Sequence, residues 1–164
     1  KVVPQLHELL TGYGDISIIW FDTPLAVTDE QSRKLSDYVH SLQPGCLVSG
    51  RVGNNKGDYE SLDDNEMPCW RKDRLCEGLG TMNESWGYKP SDHNYRSTVQ
   101  LLRNLCELTG KNANYLLNVG PDGNGEFPPE ANVRLREIGN WIAVNGDAVH
   151  GAGASPTPAW FSPQ

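Results

Sequence analysis

The chain has 164 residues, enough for one domain with a hydrophobic core of its own. Its 21 acidic residues outweigh 14 basic ones and leave a net charge of −7, which argues against nucleic acid or an anionic membrane surface as a partner. No apolar run is long enough to span a bilayer, and the chain opens on Lys1 with no initiator Met and no visible signal peptide, as a processed or excised piece does.

From the N-terminus, Leu6, Leu9 and Leu10 lie at helical spacing between Pro4 and Leu10, ahead of Gly12, and predict the end of a helix. Ile16 to Phe21 is an apolar run of β-branched and aromatic residues without polar alternation, the pattern of a strand buried on both faces. The run stops at Asp22, before turn-forming residues. In α/β folds this end of a strand is where ligands bind. Aspartate also caps turns through its own side chain, so both readings of Asp22 stand at this point.

Thr28 and Gln31 match a capping box and open a helix that reaches Leu42, with Leu35, Tyr38, Val39 and Leu42 in one apolar stripe. Cys46 to Val52 reads as a second strand. Gly53 to about Arg74 reads as a long loop rich in Gly, Asn and Asp, holding Asp58, Tyr59, Asp63, Asp64, Glu66 and Trp70; a loop of this length is functional or mobile. A strand over Leu75–Met82 contains Glu77, and Ser85-Trp86-Gly87-Tyr88 follows as an aromatic loop. A helix over Asn94–Leu108, a strand over Ala113–Val119 and a helix from Pro128-Pro129 to about Val144 come next. Ala148 to His150 suggests a short last strand, and from Ser155 the chain reads as a Pro-rich extended tail.

Strands alternating with helices predict βαβ units and a parallel sheet. There is no dinucleotide-binding glycine motif, no phosphate loop with its Lys, and no Gly-x-Ser-x-Gly elbow. Cys46, Cys69, Cys76 and Cys106 make no Cys-x-x-Cys pair, so free or buried thiols are expected and no metal site. The remaining chemistry is carboxylates near strand ends with aromatic neighbours. Two such carboxylates are the minimum equipment of a glycoside hydrolase, one to attack the anomeric carbon or activate water and one to protonate the leaving oxygen. Asp22 and Glu77 suit these roles. Trp20, Trp70, Trp86 and Tyr88 could stack on the apolar face of a sugar, or simply pack.

Four short motifs occur in order: Trp20-Phe21-Asp22, Gly57-Asp58-Tyr59, Ser85-Trp86-Gly87-Tyr88, and Asn114 to Pro121. Together they resemble the α-L-fucosidases of glycoside hydrolase family 29, over roughly Leu6 to Ser155. The resemblance implies a partial (β/α)8 TIM-like barrel of about five parallel strands that lacks the N-terminal strands. Residues 1–154 would be the C-terminal portion of the catalytic barrel, and 155–164 the tail. It implies a retaining double displacement that releases terminal L-fucose, with Asp22 as nucleophile and Glu77 as acid/base. Cys76 stands where the family usually has Trp before that Glu, so Glu84, Glu66 and Asp58 are held as reserves. Trp86 is expected to wall the sugar pocket, with Trp20, Tyr88 and Asp58 also binding substrate. The expected partner is a fucosylated glycan, with a missing N-terminal half or a partner chain, no cofactor, and a secreted or periplasmic location. Two other readings are a truncated carbohydrate-binding or structural fragment without activity, and an unrelated open α/β domain.

Overall fold

The computed structural model describes residues 1–155. The chain divides into two compact units, Lys1–Ser61 and Leu62–Gln164.

The first unit runs α1 (Val2–Gly12), β1 (Ile18–Ile19), α2 (Asp29–Leu42), β2 (Leu47–Val48) and a 3-10 turn over Gly50–Val52. The Thr28–Gln31 capping box forms in both directions, satisfying N–H groups that the first turn of α2 leaves open. β1 and β2 are parallel, with Ile18 opposite Leu47 and Ile19 opposite Val48. Leu6 and Leu10 of α1 and Val39 of α2 pack with Cys46, Val48 and Val52, and Ile19 and Phe21 join from the strand side. Each fully buried aliphatic side chain here contributes about 1.5–3 kcal/mol. The opposite face of this strand pair is open: Ile18 is 45% and Leu47 39% exposed. Within this chain one face of Ile16 to Phe21 meets the helices and the other is left open.

The second unit holds a three-stranded sheet in the order β3 (Glu60–Asp64), β4 (Cys76–Thr81), β5 (Ala113–Asn118), with α3 (Thr98–Gly110) and α4 (Pro129–Asn145). The division between the units falls inside β3. β4 and β5 are parallel and in register from Cys76–Ala113 to Thr81–Asn118. Asn65, just past β3, donates its N–H to Leu79 at 3.0 Å, so the C-terminal ends of β3 and β4 lie together and these strands also run parallel. Leu62, Cys76 and Ala113 pack on Leu108 of α3. Met82, Leu101 and Ala131 form a second cluster with Leu117, Val119, Leu135 and Ile138.

Five strands are present among the described residues, four of them within the expected segments and the fifth, β3, in place of the one expected at Ala148–His150, and they form sheets of two and three. The segment read as one long loop contains β3. Ala148–His150 is no strand, since Gly146–Ala148 forms a 3-10 turn at the end of α4. Of the expected tail, only Ser155 is described; its N–H bonds the Gly110 carbonyl at 2.9 Å, and residues 156–164 lie outside the described residues. All four cysteines are free thiols. Cys46 is buried, and burial pushes its thiol pKa up, away from the reactive thiolate.

Candidate active site

In the first unit, β1 ends at Ile19 and delivers Trp20, Phe21 and Asp22 past its C-terminal end. The buried Ser49 hydroxyl, just after β2, accepts the Phe21 N–H at 2.9 Å and fixes the direction of this exit. Oδ1 of Asp22 accepts the Thr23 N–H at 2.8 Å and a guanidinium hydrogen of Arg51 at 3.1 Å. The Asp22 side chain remains 59% exposed, whereas that of Arg51 is 17% exposed and its guanidinium lies 5.4 Å from the centre of the Trp20 ring. Thr23 takes a positive φ of 52°, uncommon for a β-branched residue, so the turn that presents Asp22 is conformationally costly. Asp22 is thus both things the sequence allowed: it caps its turn and it is an oriented, solvent-accessible carboxylate.

Asp58 is differently employed. One carboxylate oxygen accepts the Val48 N–H at 2.7 Å and lies 2.9 Å from Nε2 of His40, while its own N–H bonds the Val48 carbonyl at 2.9 Å. These contacts tie the loop to β2 and to α2.

In the second unit, the C-terminal ends of the strands carry the loops after β4 and β5. Asp92, 8% exposed, organises the first of these: its carboxylate accepts the Ser85 hydroxyl at 2.7 Å and the N–H groups of Glu84 and Asn94 at 3.0 and 3.2 Å. The Ser85 hydrogen bond above all holds the Asp92 pKa below the ordinary carboxylate value, against the opposing effect of burial. Asn118, the last residue of β5, donates to the Trp86 carbonyl at 2.6 Å. Gly120 lies so close to Gly87 and Tyr88 that a Cβ there would meet their backbone at 2.7 Å. Trp86 and Tyr88 are thereby presented at 38% and 48% exposure, and Tyr88 borders a cleft of about 490 Å³ shared with Tyr95, His93, Phe127 and Glu130.

The carboxylates of this unit are not equivalent. Glu77 is the second residue of β4, opposite Asn114 near the start of β5. The expectation placed it near a strand end, and the end it occupies is the N-terminal one. Asp64 is the last residue of β3. Glu66 accepts the Asp63 N–H at 2.8 Å and closes a turn, and Glu84 accepts from the Asn94 side chain at 2.6 Å. Among the described residues no three His, Cys, Asp or Glu side chains gather as metal ligands, and no helix is long and apolar enough to cross a membrane.

Residues 1–147 match the family model described as Alpha-L-fucosidase. The chain belongs to the alpha-L-fucosidase family. Tissue alpha-L-fucosidase of Rattus norvegicus is 27% identical over 163 residues, which cover 92% of this chain and 35% of that protein. The chain therefore spans about a third of the length of the curated fucosidases it matches. Alpha-L-fucosidase isoenzyme 1 from Paenibacillus thiaminolyticus superposes with a TM-score of 0.88 at 34% identity, over 95% of this chain and 41% of that one. The fucosidase AlfC from Lactobacillus casei, solved in complex with α-L-fucose product, superposes at 0.79 with 38% identity over 90% and 46%. Solved variants of AlfC include an Asp-to-Ala form in complex with Fuca(1,6)GlcNAc and with 4-nitrophenyl-a-L-fucopyranoside, and an Asn-to-Ala form described as a fucosyltransferase mutant.

The fucosidase motifs read from the sequence fall on both units: Trp20, Asp22 and Asp58 in the first, Trp86 and Tyr88 in the second. Reading the sequence missed Asp64 as a strand-end residue, because Glu60-Ser61-Leu62-Asp63-Asp64 has one apolar position in five. The available signal was Leu62 flanked by polar residues, a weak trace of a half-buried strand.

Proposed function

We propose that the protein carrying this chain is a retaining α-L-fucosidase and that the chain supplies the later strands of its catalytic (β/α)8 barrel. The observation that carries this reading is the position of Asp22: an oriented, accessible carboxylate past the C-terminal end of a parallel strand, in a member of the fucosidase family. The open apolar face at Ile18 and Leu47 supports the barrel, since further strands would cover it. A missing N-terminal part, on the same chain or a partner, is part of this reading.

In the first step Asp22 attacks the anomeric carbon of the fucosyl unit while an acid protonates the departing glycosidic oxygen, leaving a glycosyl ester on Asp22. In the second, the same acid, now a base, takes a proton from water; the water oxygen bonds to the anomeric carbon and the Asp22 carboxylate departs. The Asp-to-Ala AlfC variant that holds an aryl fucoside is the behaviour expected when the attacking carboxylate is removed. We assign the acid/base role to Asp64 in place of Glu77. Chemistry in such barrels sits at the C-terminal ends of the strands, where β3 ends on Asp64, while Glu77 opens β4. Asp64 also directly precedes Asn65. Asn65 follows Asp22 at the same spacing that separates the Asp and the Asn altered in the AlfC variants.

Trp86 and Tyr88 form walls for the sugar, and Trp20 serves through the Arg51 it stacks on. Asp58 acts indirectly by holding the loop to β2. The substrate class is a fucosylated glycan, with α(1,6)-linked fucose on GlcNAc the first linkage to try, and the reaction needs no cofactor. An exported location fits relatives such as the plasma fucosidase of Rattus norvegicus. The test is the anomer released by the intact protein from an aryl α-L-fucoside, followed by proton NMR. Initial release of α-L-fucose supports retention; initial release of the β-anomer overturns it.

A further inference from the structure

The open cleft of about 490 Å³ takes its walls from the loop after β4, the loop after β5 and the first turn of α4. Its size falls within the range of about 300–1,000 Å³ usual for ligand sites. Each of its two loop walls is built around a capped aspartate. Asp92 holds the β4 loop through Ser85, Glu84 and Asn94. Asp122 holds the β5 loop: its Oδ1 accepts the N–H groups of Glu126 at 3.0 Å and Asn124 at 2.8 Å, and its own N–H bonds the Glu126 carbonyl at 2.9 Å. Two links then tie the β4 loop to α4. Nδ1 of His93 lies 3.3 Å from Oε1 of Glu130, and Arg134 donates to the carbonyls of Arg96 at 2.6 Å and Glu130 at 2.9 Å. The same guanidinium sits 5.1 Å from the centre of the Tyr95 ring. The cleft is therefore shaped in advance, which lowers the ordering cost of filling it.

These walls also carry groups that the fold does not use. Phe127 is 45% exposed, and with the exposed Tyr88 and the half-buried Tyr95 it offers apolar ring surface. Among the described residues the Glu126 carboxylate and the hydroxyls of Tyr88 and Tyr95 make no hydrogen bond. Ring faces edged by free hydroxyl and carboxylate groups match a pyranose, which has an apolar C–H face and a rim of hydroxyls. Charge narrows the choice. Four carboxylates, those of Asp92, Asp122, Glu126 and Glu130, line the cleft with Lys89 as its one lysine, and His93 is already engaged by Glu130. The N–H of Glu126 above all keeps the Asp122 pKa below the ordinary carboxylate value, and its own N–H does the same for Glu130, so both stay ionised at neutral pH. An anion entering here meets repulsion. A cation gains little, because Asp92, Asp122 and Glu130 already have donors of their own.

We infer that this cleft is a second saccharide subsite, which takes a neutral pyranose next to the fucosylated sugar of the substrate and turns away an anionic one. The inference rests on the fucosidase reading above, and on Tyr88, which borders the cleft from the loop that also presents Trp86. The subsite adds no chemical step. It supplies binding energy from a part of the substrate that does not react.

The experiment uses the intact protein and compares kcat/KM for 4-nitrophenyl α-L-fucoside, for fucosyl-GlcNAc disaccharides of each linkage, and for the same disaccharides extended by a β-linked glucose or a β-linked glucuronate. The two extensions differ only in a hydroxymethyl group against a carboxylate. Phe127→Ala removes ring surface and Glu126→Lys reverses one charge; both side chains are exposed, so neither change opens a buried void. In the wild type the glucose extension should raise kcat/KM about fivefold. The glucuronate compound should be cleaved about tenfold more slowly than the glucose compound, a gap that narrows in high salt. Phe127→Ala should abolish the gain from glucose and Glu126→Lys should shrink the glucuronate gap, each with the aryl fucoside cleaved as by the wild type. A wild type that gains nothing from glucose in any linkage, a gain that survives Phe127→Ala, or a glucuronate gap unchanged by both Glu126→Lys and salt overturns the inference while leaving the fucosidase reading intact. Release of no nitrophenol by the wild type overturns the fucosidase reading, and this inference with it.

Discussion

Arg51 donates to Oδ1 of Asp22 at 3.1 Å while its guanidinium lies 5.4 Å from the centre of the Trp20 ring. One side chain from the loop after β2 therefore locks two residues delivered by β1. Because Asp22 is 59% exposed, the ion pair itself adds no more than about 1 kcal/mol to stability. Its larger effect is to aim the carboxylate. Arg51→Ala should lower kcat/KM on an aryl α-L-fucoside about tenfold while shifting Tm little. Arg51→Lys should recover only part of the loss, since an ammonium keeps the charge but not the planar stacking on Trp20. Steady-state kinetics and thermal melting on the same samples check both statements.

A second expectation concerns the loop that presents Trp86 and Tyr88. A Cβ at position 120 would meet the Gly87 carbonyl carbon and the Tyr88 nitrogen at 2.7 Å, and backbone cannot step aside as a side-chain tip can. Gly120→Ala should destabilise the protein by about 1–3 kcal/mol. Gly123→Ala, with nothing within 4 Å of the new Cβ, should stay within about 0.5 kcal/mol of wild type. Denaturant titrations of the two variants distinguish a steric cause from a general intolerance of the turn.

Asp92 supplies a dependence on pH. The Ser85 hydroxyl, joined by the N–H groups of Asn94 and Glu84, keeps its folded pKa below the unfolded value of about 3.9. The folded state thus favours the ionised form, and the resulting stability is present in full above the unfolded pKa and is lost as pH falls through the folded one. Asp92→Asn should therefore be less stable than wild type at neutral pH, with the gap narrowing below about pH 4. Equal gaps at pH 7 and pH 3 would show that the carboxylate charge contributes nothing. Thermal melts across this range provide the comparison.

Much of the architecture was legible because it depends on local signals. The Thr28–Gln31 box, the apolar stripe of α2 and the Pro128-Pro129 start of α4 are short-range devices, and each forms. β3 was not legible, because its pairing with β4 comes from the neighbouring strand and not from its own composition; only Leu62 of its five residues is buried. Ile16 to Phe21 is apolar throughout, yet within this chain the helices cover only one of its faces and Ile18 stays 45% exposed; composition reports that a segment is apolar, not which neighbours cover each face. At the site, Asp22 could be read from an abrupt change of polarity at a strand end. The choice between Glu77 and Asp64 could not, because it depends on strand direction and on the true boundaries of β3 and β4.

Asp22 is proposed to form the glycosyl ester, and replacing it by Gly in the intact protein tests that role most directly. With 4-nitrophenyl α-L-fucoside, D22G should lose about a thousandfold or more in kcat/KM. Added azide should restore nitrophenol release by entering the space left by the carboxylate, giving β-L-fucosyl azide. Hydrolysis by D22G within about tenfold of wild type, with no azide adduct, would contradict the account.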